Sequence, residues 1–190
     1  MPSPAVFDLG DPGMRDVLGH SHWHPDIPGV AEVITGGSVR MECPGREPGG
    51  GVLLCGPLVV VGAEPGDVIV VDVLAVGRPG GGRDAGGHPG IIGCAPSDPV
   101  AVPGEARGRD VGGCLIAPLT AGSRILLPVH VRGAKLSVGD LHFPPRGAYD
   151  CGEPGVRGWI DLRVSLTRQG VERFRVTGPM LMPDPTPRLC

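Results

Sequence analysis

Asp140 and His142 stand two residues apart at the predicted end of a strand, within the segment 131–143. Side chains at positions i and i+2 of an extended chain point the same way, so this carboxylate and imidazole can act together. Such a pair can exchange protons with a substrate, or it can ligate a metal ion together with other groups. Residues at strand exits are held rigidly yet remain open to a ligand. The sequence therefore predicts chemistry at this position.

Three further histidines are candidates to join the pair. His20 and His24 belong to the cluster HSHWHPD at residues 20–26, and His88 opens a later apolar segment. In an extended chain, histidines at steps of two share one face, which suits a metal ion or an anionic group. The alternative is a turn before Pro25 whose histidines form local hydrogen bonds. The sequence leaves both interpretations open.

Short strands are predicted to position these residues. Residues 160–167 alternate apolar and polar side chains most regularly, and residues 123–131 show the same period of two. Turn residues between other apolar runs predict two hairpins and two strands joined by a tight turn. These are a hairpin of residues 30–34 with 39–43, two strands around the Pro-Gly turn within 56–73, and a closing hairpin of residues 160–167 with 171–176.

The composition favours strands over helices. The chain of 190 residues contains 34 Gly and 23 Pro, and 41% of its residues are hydrophobic. Gly or Pro interrupts nearly every window long enough for three helical turns. The sequence predicts an all-β, sandwich-like fold of many short strands with Gly/Pro-rich loops. We expect one domain over residues 1–190, with an irregular lead-in at 1–19 and a Pro-rich tail at 177–190.

Charge and hydropathy restrict the partners. A net charge of −3 without basic runs argues against nucleic acid, and no apolar stretch approaches the length of a membrane span. A small-molecule substrate is expected. Because the amino-terminal residues lack the pattern of a signal peptide, we expect a cytoplasmic protein. Exposed strand edges favour a homo-oligomer. The six cysteines form no C-x-x-C pair, so buried, inert thiols are favoured over nucleophiles or metal ligands.

Several blocks, in order, resemble a known family. HWHPDIPGVAEV, GPLVVVGAEPGDVIVVDVL, HPGIIGCAPS, GGCLIAPLTAGSRILLPVHVRGAKLSVGDLHF and GWIDLRVSLTRQGVERF are similar to blocks of the acetamidase/formamidase family, in particular the bacterial formamidases. The resemblance implies an all-β, usually oligomeric fold that hydrolyses small amides to a carboxylate and ammonia at a divalent metal such as zinc. It covers most of residues 20–182.

The resemblance also implies which residues form the site. The residue types match the family at His20, His24, Glu64, His88, Asp140 and His142, whereas His22 and His130 do not match and are assigned structural or surface roles. We therefore predict His142, Asp140, His24 and His88 as catalytic residues. If a metal is bound, its predicted ligands are His142, His24 and His20.

The chain departs from the family pattern at two places. Family members have Gly-Gly-Asn-x-Asp before the central strand, whereas Cys114-Leu115-Ile116 follows Gly112-Gly113 here. They also have Gln-Gly-Asp-Gly-Glu after the exit histidine, where residues 144–150 read PPRGAYD. Because carboxylates are missing from both positions, the metal can be absent from this chain. Asp150 is predicted to replace one lost carboxylate.

Three functions remain open from the sequence. The first is hydrolysis of the C–N bond of a small amide, as in a formamidase. The second is repurposed, metal-free acid/base catalysis by Asp140 and His142 in a biosynthetic pathway, as a cyclase, lyase or isomerase acting on a larger substrate. The third is a non-catalytic binding protein in which the same two residues form a structural pair. Function has to be argued from the site, because one fold supports many activities.

Overall fold

Short strands separated by turns form most of the protein. The structure, a computed structural model, describes residues 19–46, 49–145, 151 and 153–182. Within these residues the strands are β1 (Gly19–His20), β2 (His22–Trp23), β3 (Ala31–Val33), β4 (Gly37–Cys43), β5 (Leu54–Val60), β6 (Val68–Gly77), β7 (His88–Cys94), β8 (Val102–Pro103), β9 (Arg124–Pro128), β10 (Leu136–His142), β11 (Gly158–Thr167) and β12 (Met180–Met182). The helical elements of this part are a 3₁₀ segment, Gly104–Asp110, and α1 (Gly170–Phe174).

Two five-stranded sheets pack around one main core. The first has the order β1-β5-β10-β7, with β3 added parallel to β5, and the second has the order β12-β9-β6-β11-β4. β2 and β8 form a separate small pair. The main core cluster joins Leu58 and Val138 of the first sheet to Val71 and Ile160 of the second. This arrangement confirms the predicted all-β, sandwich-like fold.

β11 shows how the alternating pattern builds the second sheet. Ile160, Leu162 and Val164 are fully buried, whereas Asp161 and Arg163 between them face outward. β11 pairs antiparallel with both β4 and β6, which places it inside the sheet. Burial of one apolar face against the first sheet is the main stabilising term for such a strand.

Both predicted hairpins are wrong. β3 pairs with β5 and β4 pairs with β11, so the turn at Gly37, whose N–H donates to the carbonyl of Ile34, joins two sheets. The two strands predicted around the Pro-Gly turn are confirmed as β5 and β6, which belong to different sheets. Residues 170–174 form α1 rather than the second strand of a closing hairpin. For β3 and β4 the turn residues are compatible with a hairpin. Burial of the apolar faces of both strands in one core decides that they pair with other strands.

The described residues include the ends of the expected lead-in and tail. Gly19 already belongs to β1, and β12, which lies in the expected tail, pairs with β9. Residues 1–18 and 183–190, which form most of the predicted lead-in and tail, lie outside the described residues. Within the described part, no helix combines the length and the apolar character needed to cross a membrane.

A buried carboxylate fixes the turn between β5 and β6. Asp67 Oδ1 accepts a hydrogen bond from the N–H of Gln169 at 2.9 Å, and Oδ2 accepts from the N–H of Glu64 at 3.0 Å and from Arg168 Nη1 at 2.9 Å. Burial raises the pKa of Asp67, but these three donors outweigh it and hold the pKa below its ordinary value. The carboxylate therefore connects the turn to the start of α1.

Asp67→Asn should destabilise the protein by about 1–3 kcal/mol at pH 7, because buried donors lose a charged acceptor. The native pKa of Asp67 is depressed, so its contribution is complete above the unfolded value of roughly 4 and is lost as the pH falls through the native value. Urea unfolding at pH 7 and near pH 3 checks this prediction. The difference between the two proteins should shrink at the lower pH, and the exposed Glu105→Gln variant should show no such loss at pH 7.

Candidate functional site

Two histidines meet where β7 begins and β10 ends. The strands pair antiparallel, with His142 opposite His88 and Leu141 opposite Pro89. The two imidazole rings are stacked, with centroids 5.6 Å apart and an interplanar angle of 9°. His142 is 7% exposed and His88 is also buried. The register of one strand pair therefore brings together two of the predicted catalytic residues.

Asp140 bonds directly to His142. Its Oδ2 lies 3.1 Å from Nε2 of His142, and its backbone has a positive φ of 55°. The main core includes Val138 and then Leu141, so the alternation of side chains breaks at this residue. Aspartate is among the non-glycine residues that tolerate this left-handed conformation best. The backbone at Asp140 thus allows Leu141 to enter the core while the carboxylate contacts the imidazole.

Two further groups hold the other carboxylate oxygen of Asp140. Oδ1 accepts a hydrogen bond from the N–H of Gly155 at 3.0 Å, and Nη2 of Arg46 lies 3.3 Å away. Burial raises the pKa of Asp140, but His142, Arg46 and the Gly155 N–H favour the charged form, and the net pKa is lowered. Asp140 is therefore a fixed anion at neutral pH, able to orient His142 and to stabilise its protonated form.

Gly90 provides the space that this pair occupies. A Cβ atom at this position would lie 2.6 Å from the carbonyl oxygen of Asp140 and 2.7 Å from both Asp140 Oδ2 and His142 Nε2. These distances are shorter than a carbon atom tolerates, so any side chain on Gly90 would displace the pair. A glycine in a strand often marks a close approach of this kind.

His88 presents one ring nitrogen to the backbone and the other to a thiol. Nδ1 lies 2.8 Å from the carbonyl oxygen of Gly86, so it carries the proton and donates it. Nε2 lies 3.3 Å from Sγ of Cys151. Burial lowers the pKa of His88, the Gly86 carbonyl opposes this, and His142 lowers the pKa further. His88 is therefore neutral at pH 7, with an available lone pair on Nε2.

Two cysteines complete the cluster. The possible ligand atoms of His88, Cys114 and Cys151 all lie within 4.8 Å of one another. Among the described residues, this is the group of side chains that could hold a metal ion. Burial raises the pKa of the Cys114 thiol, and its neighbours Cys151 and Asp140 raise it further. Without a cation the thiol stays protonated, which makes Cys114 a poor nucleophile. The three side chains together nevertheless form a donor set that suits a metal ion, and a bound ion would displace the proton of the Cys114 thiol.

The other predicted site residues lie outside this cluster. Both ring nitrogens of His20 are engaged, Nδ1 with the carbonyl of His22 at 2.7 Å and Nε2 with Ser137 Oγ at 2.9 Å. His24 Nε2 lies 2.7 Å from the carbonyl of Pro99, and its Nδ1 accepts from the N–H of Asp26. The described structure therefore brings neither histidine into the group with His88. Asp150 lies outside the described residues.

An open cleft borders His142. It has a volume of about 170 Å³, and Arg78, Phe143, Glu153 and Val156 are among its lining residues. Arg78 donates to the carbonyl of Phe143 at 3.2 Å, and its guanidinium lies 4.6 Å from the centre of the Phe143 ring. A larger open groove of about 610 Å³ lies around residues 59–62 and 131–133 and includes none of the clustered residues.

Comparison with known sequences shows which class of protein the chain resembles. Residues 100–188 match the model of the Acetamidase/Formamidase family. The chain is 38% identical over 76 residues to a formamidase from Methylophilus methylotrophus, covering 39% of this chain and 19% of that protein. It is 40% identical over 83 residues to an acetamidase from Mycolicibacterium smegmatis, covering 34% and 20%. The matched part thus spans about a fifth of the length of these relatives.

Solved structures agree with this class. A γ-lactamase from Delftia acidovorans superposes with a TM-score of 0.72 at 26% identity, over 95% of this chain and 71% of that one. An acetamidase from Yersinia enterocolitica has the same fold, with a TM-score of 0.76 at 16% identity over 96% and 73%. Together with the sequence matches, these findings show that the chain is similar to acetamidase/formamidase proteins in part of its sequence and in its fold.

Sequence reasoning missed four residues of the candidate site. Cys114 and Cys151 fell under the general expectation of inert thiols, Arg46 lies in a Gly/Pro-rich loop, and Gly90 has no side chain to mark it. One signal was available, because Cys114 follows Gly112-Gly113 where the family pattern has a polar residue. Arg46 and Cys151 come from segments distant in sequence, and Gly90 lies two residues after His88, so only the packing of the strands shows that they lie at the site.

Proposed function

We propose that the protein hydrolyses the C–N bond of a small amide, giving a carboxylate and ammonia. The observation that carries this proposal is the buried Asp140–His142 pair at the end of β10, with His142 bordering a cleft. The family comparison supports an amide hydrolase at the level of the family. Formamide and acetamide are the first substrates to test. Cytoplasmic location and assembly into a homo-oligomer stay predictions.

His142 is the proposed general base and acid. Its Nε2 is bonded to the Asp140 carboxylate, which leaves Nδ1 without a partner among the described residues. Nδ1 takes a proton from water as the water oxygen adds to the amide carbonyl carbon. The imidazolium then donates that proton to the amide nitrogen as the C–N bond breaks and ammonia leaves. Asp140 holds the imidazole in the required tautomer and stabilises its positive charge.

The cleft suits a small substrate. Its volume of about 170 Å³ is below the roughly 300–1,000 Å³ typical of sites for drug-sized ligands. A cleft of this size has room for a small amide beside His142. The guanidinium of Arg78 lines the same cleft and can place positive charge near the oxyanion that develops on the carbonyl.

The family resemblance implies a divalent metal, and the described residues fit one. His88, Cys114 and Cys151 would hold it. A bound cation of this kind supplies Lewis-acid polarisation of a carbonyl group. The residues of the chain remain responsible for orienting the substrate and moving the protons.

Ammonia release by the purified, metal-supplemented protein tests the proposal. Turnover of formamide or acetamide is expected, and His142→Ala should reduce it by at least about 100-fold because the general base is lost. The exposed His22 provides the matched control, since His22→Ala removes an imidazole that lies outside the cluster. No ammonia from either amide in a folded sample, or full activity in His142→Ala, would contradict the proposal.

A further inference from the structure

We propose that His88, Cys114 and Cys151 form a zinc site in which an imidazole nitrogen and two thiolates are the ligands. The three come from different parts of the chain: His88 begins β7, Cys114 follows the glycine pair 112–113, and Cys151 lies between β10 and β11. This proposal deepens the metal assignment of the proposed function by naming the ion and the type of its ligands. Zinc binding is measured without any substrate, so it is tested separately from amide hydrolysis. It also differs from the ligand set of His20, His24 and His142 expected from the sequence.

The distances match zinc coordination. Zinc bonds of about 2.3 Å to sulfur and about 2.0–2.1 Å to nitrogen place tetrahedral ligand atoms about 3.5–3.8 Å apart. His88 Nε2 and Cys151 Sγ are 3.3 Å apart, and all three ligand atoms lie within 4.8 Å of one another.

The backbone holds two of the ligands in place. The N–H of Cys114 donates to the carbonyl of Gly90 at 3.3 Å. Gly113 has a φ of 123°, and a Cβ there would lie 2.1 Å from the Gly90 carbonyl oxygen, so only glycine allows this approach. On the other side, the bond from Nδ1 of His88 to Gly86 leaves Nε2 facing Cys151. Metal-binding histidines commonly donate their second ring N–H to a backbone carbonyl in this way.

The donor types select the class of metal. Two thiolates and one imidazole suit zinc and related borderline or soft cations, whereas calcium and magnesium require oxygen ligands. Three protein ligands of the Cys₂His type leave a fourth position open, as in catalytic zinc sites. Asp140 and His142 lie beside this group, since the His142 ring stacks on His88. The proposed zinc would therefore sit next to the proposed acid/base pair.

Cobalt substitution tests the site directly. The reduced, metal-stripped protein is titrated with Co²⁺, which in this site should give thiolate-to-cobalt charge-transfer absorption that saturates at one equivalent. Zinc should then displace the cobalt. Cys114→Ser and Cys151→Ser should each weaken the charge-transfer band and lower zinc affinity by more than about 100-fold, beyond the 10–100-fold typical of losing a group that only supports a ligand.

The matched control is Cys94→Ala. Cys94 is a buried thiol of β7 whose pKa is raised to about 12 by burial, and it is not part of the cluster. This variant should keep the cobalt spectrum and the zinc affinity. Thermal unfolding of each variant without metal shows whether it is folded. A folded, reduced wild-type protein without the thiolate band, or unchanged zinc affinity in both serine variants, would overturn the site. These outcomes are independent of amide turnover.

Discussion

Asp140→Asn is expected to lower the kcat for amide hydrolysis by a factor on the order of 10²–10⁴ while KM changes little. Asparagine has the same size, and it also tolerates the positive φ found at this position, so the fold should persist. What is lost is the negative charge that orients the His142 ring and stabilises its protonated form. Steady-state kinetics with formamide and acetamide measure the effect.

A matched control separates this role from a general loss of charge. Asp72 also pairs with an arginine, since its Oδ1 accepts from Nε of Arg124 at 2.6 Å, but it lies on β6 in the second sheet. Asp72→Asn should therefore leave kcat close to that of the wild type. A rise in KM alone for Asp140→Asn, or equal losses in both variants, would show that Asp140 does not act through His142.

Gly90→Ala is expected to reduce activity by more than about 100-fold and to destabilise the protein by about 1–3 kcal/mol, the usual cost of overpacking. The new methyl group would lie 2.7 Å from both Asp140 Oδ2 and His142 Nε2. These groups have to separate to make room, which breaks the bond that prepares His142 for proton transfer. A misplacement of about 1 Å can by itself cost roughly 100-fold in rate.

Gly82→Ala is the control for this change. Gly82 has no atom within 4 Å of an added Cβ, and its φ is not in the left-handed region, so alanine should be accommodated. Urea unfolding and ammonia release measured on both variants check the prediction. If Gly90→Ala kept full activity, the Asp140–His142 bond would not be required for turnover.

The regular parts of the fold were predictable because they depend on local patterns. The alternation of Ile160, Leu162 and Val164 with polar residues fixes which face of β11 is buried. The hairpin at residues 30–43 was wrong for a related reason. A turn sequence specifies that the chain reverses, but it does not specify whether the two strands join one sheet or two. That choice depends on how all apolar faces are buried together.

The candidate site likewise combines contacts that were predictable from the sequence with contacts that were not. Asp140 and His142 are two residues apart, so their pairing was predictable from the short spacing, although the positive φ of Asp140 rather than a regular strand brings the two side chains together. The structure places His88 beside them through the register of β7 and β10. The grouping of His20 and His24 with His142 stays a prediction, and in the structure His20 contacts Ser137 of β10 while His24 contacts the carbonyl of Pro99. A match of residue types to the family pattern does not show which atoms those residues contact in the folded protein.

The sequence by itself thus determined the all-β class, the family resemblance and the Asp140–His142 pair, since each depends on residue types or on short spacings. Only the tertiary structure brought Cys114, Cys151 and Arg46 to that pair. These residues lie in loops whose paths are set by the packing of two sheets and by close approaches at Gly90 and Gly113. The packing free energy of the whole core decides which residues far apart in sequence come into contact. Local sequence patterns do not predict those contacts.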